Sequence, residues 1–412
     1  MPSKRPLVRT SFAVIAVALS VSAAAACSSA TSTSASALGK PAASSATSAS
    51  AASMSGTSAT PTHPSSSAAS SPSPSTSTAA APPPASFGNP DGHAPIPAAG
   101  QPVDTSHPTT VVGDGTAAGC TSAAVVAAVA KGGVITFSCG AAPVVITMAA
   151  TAKVVNTSAR VVLDGGGRVT LSGGGTRRIL YMNTCDKAQT WITSHCQNQS
   201  QPQLTLQNIT FADGNSTGQQ ASGGGGGAVF ASGGRLAIVN ARFTGNRCDS
   251  TGPDLGGAAV RALQQYQNLP VYVVDSTFGG SAGQGGVCSN GGALSSIGVS
   301  WDVIDCVMSY NKAIGTGANP AQAGTPGGGS GGAIYTDGDD YTVTIAGTRI
   351  EHNDANEGGG AVFYVSNNRT GTLTIRDSVL DANVNDKFST AGYPGIFFLG
   401  AGKPAVSGSS LK

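Results

Sequence analysis

The sequence predicts an all-β fold: a parallel β-helix, or solenoid, of stacked coils with a short N-terminal capping helix. Three observations carry that expectation. Six times in the C-terminal two-thirds, a short β-type run ends in a large apolar residue and then a small polar step: LTLQNITFADG, LAIVNARFTGN, VYVVDSTFGGS, VIDCVMSYN, VTIAGTRIEHN and LTIRDSVLDAN. Their anchors, Phe211, Phe243, Phe278, Met308, Ile350 and Leu380, recur at intervals of 30 to 42 residues, the range of solenoids, propellers and arrays. Between the runs stand GGAV (from Gly226), GGAAV (from Gly256), GGAL (from Gly291), GGAI (from Gly331) and GGAV (from Gly359).

The unit from Gly224 to Asn246 shows why these residues suit coils. It holds two strand patterns, AVFA and LAIVNARF, parted by a Gly turn. Alternation places Leu236, Ile238, Ala241 and Phe243 inside, and its slip near Asn240 predicts a bend. Coils stacked about 4.8 Å apart would align the anchors in an apolar ladder. The paired glycines supply positive φ and let coils approach closely. Asn246, Asn311, Asn353 and Asn383 each fall three residues after an anchor, where stacked amides bond from coil to coil. Gly214 and Ser281 take that slot in the other two units and interrupt the ladder.

In chain order, Lys4, Arg5 and Arg9 precede the apolar run SFAVIAVALSV, which is too short to span a bilayer and reads as an export signal over residues 1–27. Cys27, directly after Ala24-Ala25-Ala26, is either an acylated lipoprotein cysteine or the first residue after ordinary cleavage. Residues 28–108, rich in Ser, Ala, Thr and Pro, are expected to form a disordered spacer, because they offer little apolar surface to offset ordering entropy. The same composition also suits a glycosylated stalk. The β-helix domain is expected over 109–412. It begins near Ser122–Ala130, a short helix with Thr121 as N-cap and Gly132-Gly133 as stop. At the far end, GIFFLGAGKPAVSGSSLK reads as a truncated unit, with Ile396 and Leu411 near the repeated apolar slots.

Export implies an oxidising compartment. Cys120 with Cys139, and Cys185 with Cys196, are spaced for local disulfides, whereas Cys248, Cys288 and Cys306 leave the third pairing open. No cysteine spacing suits zinc, and no metal site is expected. With a net charge of +2 and no basic stripe, nucleic acid is not an expected partner.

Other repeat classes fail. These turns lack the Asp of calcium-binding nonapeptides, Gly does not fall at every third position as in collagen, and the units are too short for propeller blades. At GGAV, FTGN (Phe243 to Asn246), GGAI and more loosely IEHN and LDAN, the chain resembles right-handed parallel β-helix repeat proteins, in particular the polymorphic outer-membrane protein repeat with its GGA[ILV] and FxxN signatures. The resemblance implies a single-stranded right-handed parallel β-helix of pectin-lyase-like fold and a surface or secreted location. That family carries a C-terminal β-barrel translocator, and the sequence up to Lys412 shows none, so export is expected to rest on the N-terminal signal.

Two functions follow. The first is a cell-surface, non-catalytic β-helix for adhesion, carbohydrate binding or envelope structure, meeting a polysaccharide or surface ligand and held to the membrane if Cys27 is acylated. The second is a polysaccharide lyase or glycoside hydrolase acting on a uronate-containing polymer. Its candidate residues are the adjacent Asp339 and Asp340, Arg376 beside Asp377, and His352. No cofactor is expected, except Ca²⁺ under the lyase alternative. Trp191, Trp301, Tyr335, Tyr341 and Tyr364 are candidate sugar-stacking faces.

Overall fold

A computed structural model describes residues 85–189, 192–318 and 322–412. The export signal, Cys27, the spacer up to residue 84 and Trp191 lie outside the described residues. Among those described, the chain is all-β apart from one α-helix and short 3-10 turns, with strands in sheets of sixteen, eight and four. Strands within each sheet pair parallel, each with its counterpart in the next unit: Val229 faces Val260, which faces Leu294, then Ile334, Val362 and Ile396. This arrangement is compatible with a β-solenoid.

A coil runs through the three sheets in turn. Ile334–Gly338 lies in the eight-stranded sheet, Thr342–Ala346 and Arg349–Glu351 in the largest, and Asp354–Ala355 in the smallest. The bend expected near Asn240 recurs in every coil as one left-handed residue: Asn208, Asn240, Asp275, Asp305, Gly347 and Asp377, with φ between 46° and 58°. Asn, Asp and Gly tolerate that conformation best, so the slot selects them. Leu236, Ile238, Ala241 and Phe243 are all buried. The rings of Phe211, Phe243 and Phe278 stack at 5.2 and 4.7 Å, close to the spacing of adjacent strands.

The first residue of each Gly motif does have positive φ, but in GGAAV it is Gly257 and Ala258 fills the second slot. A Cβ on Gly292 would stand 2.5 Å from the Gly332 carbonyl oxygen, which is why the second glycine is there. The Asn ladder forms, with Asn311 and Asn353 each bonded to the next coil's amide. Its break in the third unit falls at Gly286, not Ser281. The Gly286 N–H donates to Asn311 Oδ1, and the inserted turn 279–285 pushes Ser281 into solvent.

The helix Ser122–Lys131 starts at Thr121, whose side chain accepts from the Ala124 N–H, and buries Val125, Ala128 and Val129 against the first strands of the stack. At the other end Leu411 pairs with Leu380 and Ile396 with Val362.

The spacer expectation meets a limit at its C-terminal end. Residues 85–108 lie along the outer face of the largest sheet. The Phe87 N–H donates to Asn240 Oδ1, the Ala94 N–H to Asp305, and Val103 exchanges two bonds with Gln207. Ala94 and Ile96 cover Val239, Val274 and Ile304. Composition hid this because the segment's bonding partners belong to the sheet.

Cysteine pairing is as expected for Cys120–Cys139 and Cys185–Cys196, and the third disulfide joins Cys248 to Cys288, with Cα atoms 4.8 Å apart. Cys306 is free and buried. Among the described residues no helix is long and apolar enough to cross a membrane.

Candidate functional site

On the eight-stranded sheet, the residue after Gly-Gly-Ala points inward: Val229, Leu294, Ile334, Val362 and, by register, Ile396. The pleat therefore turns the next residue outward. That outer row reads Tyr181, Phe230, Arg261, Ser295, Tyr335, Phe363 and Phe397. Tyr181 stacks on Phe230 at 5.4 Å, Tyr335 on Phe363 at 5.1 Å, and Phe363 on Phe397 at 5.0 Å. Phe388 meets Phe363 and Phe397 edge-on, forming a wall at right angles to this floor.

The floor and wall bound a cleft of about 450 Å³, rimmed by Asp254, Asp337 and Asn367. Asp337 lies two residues along the strand from Tyr335, so it faces the same side. Its Oδ1 accepts from the Gly338 N–H at 2.7 Å and Asn367 Nδ2 at 3.0 Å, and its Oδ2 from the Tyr335 hydroxyl at 3.4 Å. Burial pushes the Asp337 carboxyl above its ordinary range, and the nearby Asp254 carboxylate adds to that, although the accepted hydrogen bonds oppose both. Asp254 itself is exposed.

Further along the face the character changes. Arg178, fully buried, donates to the carbonyls of Gly226, Ser222 and Gly225 while its guanidinium lies 5.0 Å over Phe230 and 5.6 Å over Tyr181. Burial lowers its pKa to about 10. It acts as a clamp on the turn 222–226. Arg261, under the turns at Gly225 and Gly256, is 5% exposed.

The candidates chosen from sequence do not converge. Asp339 and Asp340 form an exposed turn after Ile334–Gly338, where their backbone carbonyls accept from Ser366 Oγ and Asn268 Nδ2. Arg376 ends the strand Thr372–Arg376 and pairs in register with Ala346, six residues beyond Asp340, about 20 Å along the strand. Its nearest marked effect is on Asp302, whose carboxyl is raised by burial and pulled back by Thr344 and Arg376. His352 occupies a left-handed turn in a separate cavity of about 640 Å³, stacked on Tyr310 at 5.1 Å, beside the Lys312–Asp354 ion pair. Among the described residues, no group of three or more His, Cys, Asp or Glu side chains comes together for a metal.

Of the aromatic candidates, Trp301, Tyr341 and Tyr364 belong to the hydrophobic core, and their polar atoms bond Ser296 Oγ, the Val365 carbonyl and the Tyr341 carbonyl. Tyr335 stands in the outer row beneath Phe363 but is fully covered and does not line the cleft. Sequence reasoning missed Phe363, Phe388, Phe397, Asp254 and Asp337. A signal existed for two of them: the residue after three of the four Gly-Gly-Ala-hydrophobe motifs is aromatic (Phe230, Tyr335 and Phe363, with Ser295 the exception), and Phe397 follows Ile396. Comparison with protein-family models, curated proteins and solved structures found no match.

Proposed function

We propose that this chain is an exported, cell-surface protein that binds a glycan in the aromatic cleft of its eight-stranded sheet, without catalysis. The observation that carries this reading is the cleft lined by Phe363, Phe388 and Phe397 beside Asp254, Asp337 and Asn367. Apolar aromatic surface beside a few polar groups suits a sugar, whose ring offers an apolar C–H face and hydroxyl edges. Within this reading the fold is a single-stranded right-handed β-helix of the polymorphic outer-membrane protein repeat type, supported by the GGA[ILV] and FxxN signatures and the parallel register. Export is supported by the basic and apolar start of the chain and three disulfides. Lipid anchoring rests on Cys27 and its context. A Cys27→Ala protein that still partitioned into detergent would refute it.

Affinity electrophoresis in gels containing different polysaccharides tests the binding. Retardation by at least one glycan, abolished in Phe397→Ala and Phe388→Ala, is expected. Equal mobility of the three proteins in every gel would overturn the reading.

A second reading, hydrolysis in the same cleft, has one observation in its favour. A half-buried carboxyl held above its ordinary range beside an exposed carboxylate is the kind of acid and base pair that glycoside hydrolysis uses. New reducing ends released by the native protein and not by Asp337→Asn would establish it. A lyase built on Arg376 has no such support.

A further inference from the structure

We propose that the cavity between the segment 85–108 and the largest sheet is a binding site for a small phosphate monoester, of the size of a sugar phosphate. The site is separate from the aromatic cleft and does not depend on the glycan reading.

The segment forms a roof. It is pinned at Ala94 and Ile96, by Asp305 and by packing on Val239, Val274 and Ile304, and again at Val103, by its two bonds with Gln207. Between the pins the chain makes one 3-10 turn, Ala98–Gly100. Gly100 lies so close to Tyr272 that a Cβ there would stand 3.2 Å from the ring Cδ1, which closes one end. Under the rest of the roof is a cavity of about 330 Å³, at the lower end of the range for small-molecule sites.

The floor of this cavity is basic. Arg160, Gln203 and Arg235 are register partners on three successive strands. Leu204 and Leu236, the residues that follow two of them, are buried, so the row itself points outward, under the roof. The two arginines are thus two strands apart, about 10 Å at the backbone. Among the described residues neither guanidinium has an ion pair or a hydrogen bond, and Arg235 Nε is buried without a partner. The Gln203 amide and the Thr205 hydroxyl, which also line the cavity, are likewise unbonded.

No carboxylate lines the cavity. Those close by are engaged elsewhere. Asp164 accepts from Thr105, Gln207 and Asn208, and Asp104 from the Ser106 N–H. Asp302, beyond Tyr272, is met by Thr344 and Arg376. Two cations with no counter-ion call for a ligand with two negative charges. A phosphate monoester carries about −1.5 to −2 at neutral pH, and its oxygens fit the guanidinium fork. A uronate or a sulfate ester supplies a single charge. Gln203 and Thr205 can donate to the remaining oxygens, while the roof at Ala98, Ala99 and Pro102 leaves room for a small body only.

The test is calorimetric titration of the full chain at about pH 8, above the second phosphate pKa of about 6. The probes are glucose 6-phosphate, glucose 6-sulfate, glucuronate and inorganic phosphate. Glucose 6-phosphate is expected to bind about tenfold more tightly than each of the others, the difference that one charge-assisted hydrogen bond makes. Arg160→Gln and Arg235→Gln, checked for native circular dichroism, should each weaken it about tenfold and remove its advantage over the sulfate. Arg235→Lys, which keeps the charge, should retain more affinity than Arg235→Gln. Arg369→Gln, an exposed arginine outside the cavity, should change nothing. Absence of glucose 6-phosphate binding, equal or tighter binding of the sulfate or the uronate, or a phosphate preference that survives both Gln substitutions overturns the inference. So does an equal loss in Arg369→Gln, which would mean diffuse charge, or inorganic phosphate binding as tightly as the ester. Retardation in polysaccharide gels is a separate readout that the Gln substitutions should leave unchanged, so failure here and failure of the glycan reading are told apart.

Discussion

Asn353 offers a single oxygen to two donors on Asn311: its Oδ1 accepts the Asn311 backbone N–H and the Asn311 side-chain Nδ2, each at 2.9 Å. Its own Nδ2 donates to the Met308 and Glu351 carbonyls and to Asn383 Oδ1. Both residues are buried. Asn353→Ala would leave the buried Asn311 backbone N–H without its acceptor, while Asn311 Nδ2 keeps the Phe278 and Ser309 carbonyls, at a cost of about 1–3 kcal/mol. Asn383→Ala should cost less, because Asn383 is half-buried at the last full coil. Urea denaturation midpoints would show the order. An Asn353→Ala protein as stable as the native one would mean the ladder follows the fold without holding it.

The segment 85–108 gives a second prediction. Ile96 and Ala94 cover Val239, Val274 and Ile304, which are at most 3% exposed. Without that cover, three apolar side chains on one face of the sheet meet water. A chain begun at Thr109 is expected to bind a hydrophobic dye and to melt at lower temperature than one begun at Ala85. Ile96→Ala alone should cost about 1 kcal/mol, since Ile96 is only half-buried. Identical melting of the two truncated chains would show the segment to be dispensable.

Much of this architecture was legible because packing repeats. Phe211, Phe243 and Phe278 stand one above another, so their spacing in sequence reports a spacing in space. The same holds for Asn311 and Asn353. What escaped notice depends on contacts between distant parts. Ser281 and Gly286 compete for one slot, and only the bond to Asn311 decides between them. Trp301 is buried because Ser296 satisfies its indole N–H at 2.9 Å, something its position in the sequence does not disclose. The cleft combines Asp254 from one loop, Phe388 from another and Asp337 from a strand. No spacing rule joins them.

Asp275 and Asp305 occupy the left-handed bend in adjacent coils, and burial raises both carboxyls, with the Asp305 charge adding to the rise at Asp275. A raised pKa means the folded protein holds protons that the unfolded chain has released. Stability from this source therefore falls as pH climbs from the ordinary value of 3.8 through the raised one, and is indifferent to pH below that window. Asn already fills the same bend at positions 208 and 240, so Asp275→Asn introduces no backbone strain. It should stabilise the protein at pH 7 by at most about 1 kcal/mol, since solvent screens a partly exposed group. The gain should vanish near pH 3.5. A gain that grew on acidification would reverse the sign of the argument.

Cys306 stands in a row of hydroxyls. In the coils around it the same inward position holds Ser276, Thr348, Ser378 and Ser409, and each Oγ from Thr348 onward accepts the backbone N–H of the preceding coil's member. The Ser276 N–H donates to the Cys306 sulfur, and the thiol in turn donates to the Val273 and Ile304 carbonyls at 3.3 and 3.2 Å. A thiol here performs a hydroxyl's task, and burial pushes it far above the ordinary thiol range, leaving no reactive thiolate. Cys306→Ser should therefore change stability by no more than about 1 kcal/mol, while Cys306→Val, which strips the acceptor from a buried N–H, should cost about 1–3 kcal/mol. Iodoacetamide should modify Cys306 only after unfolding. Rapid alkylation of the native protein, or a Ser variant as unstable as the Val variant, would remove Cys306 from the ladder.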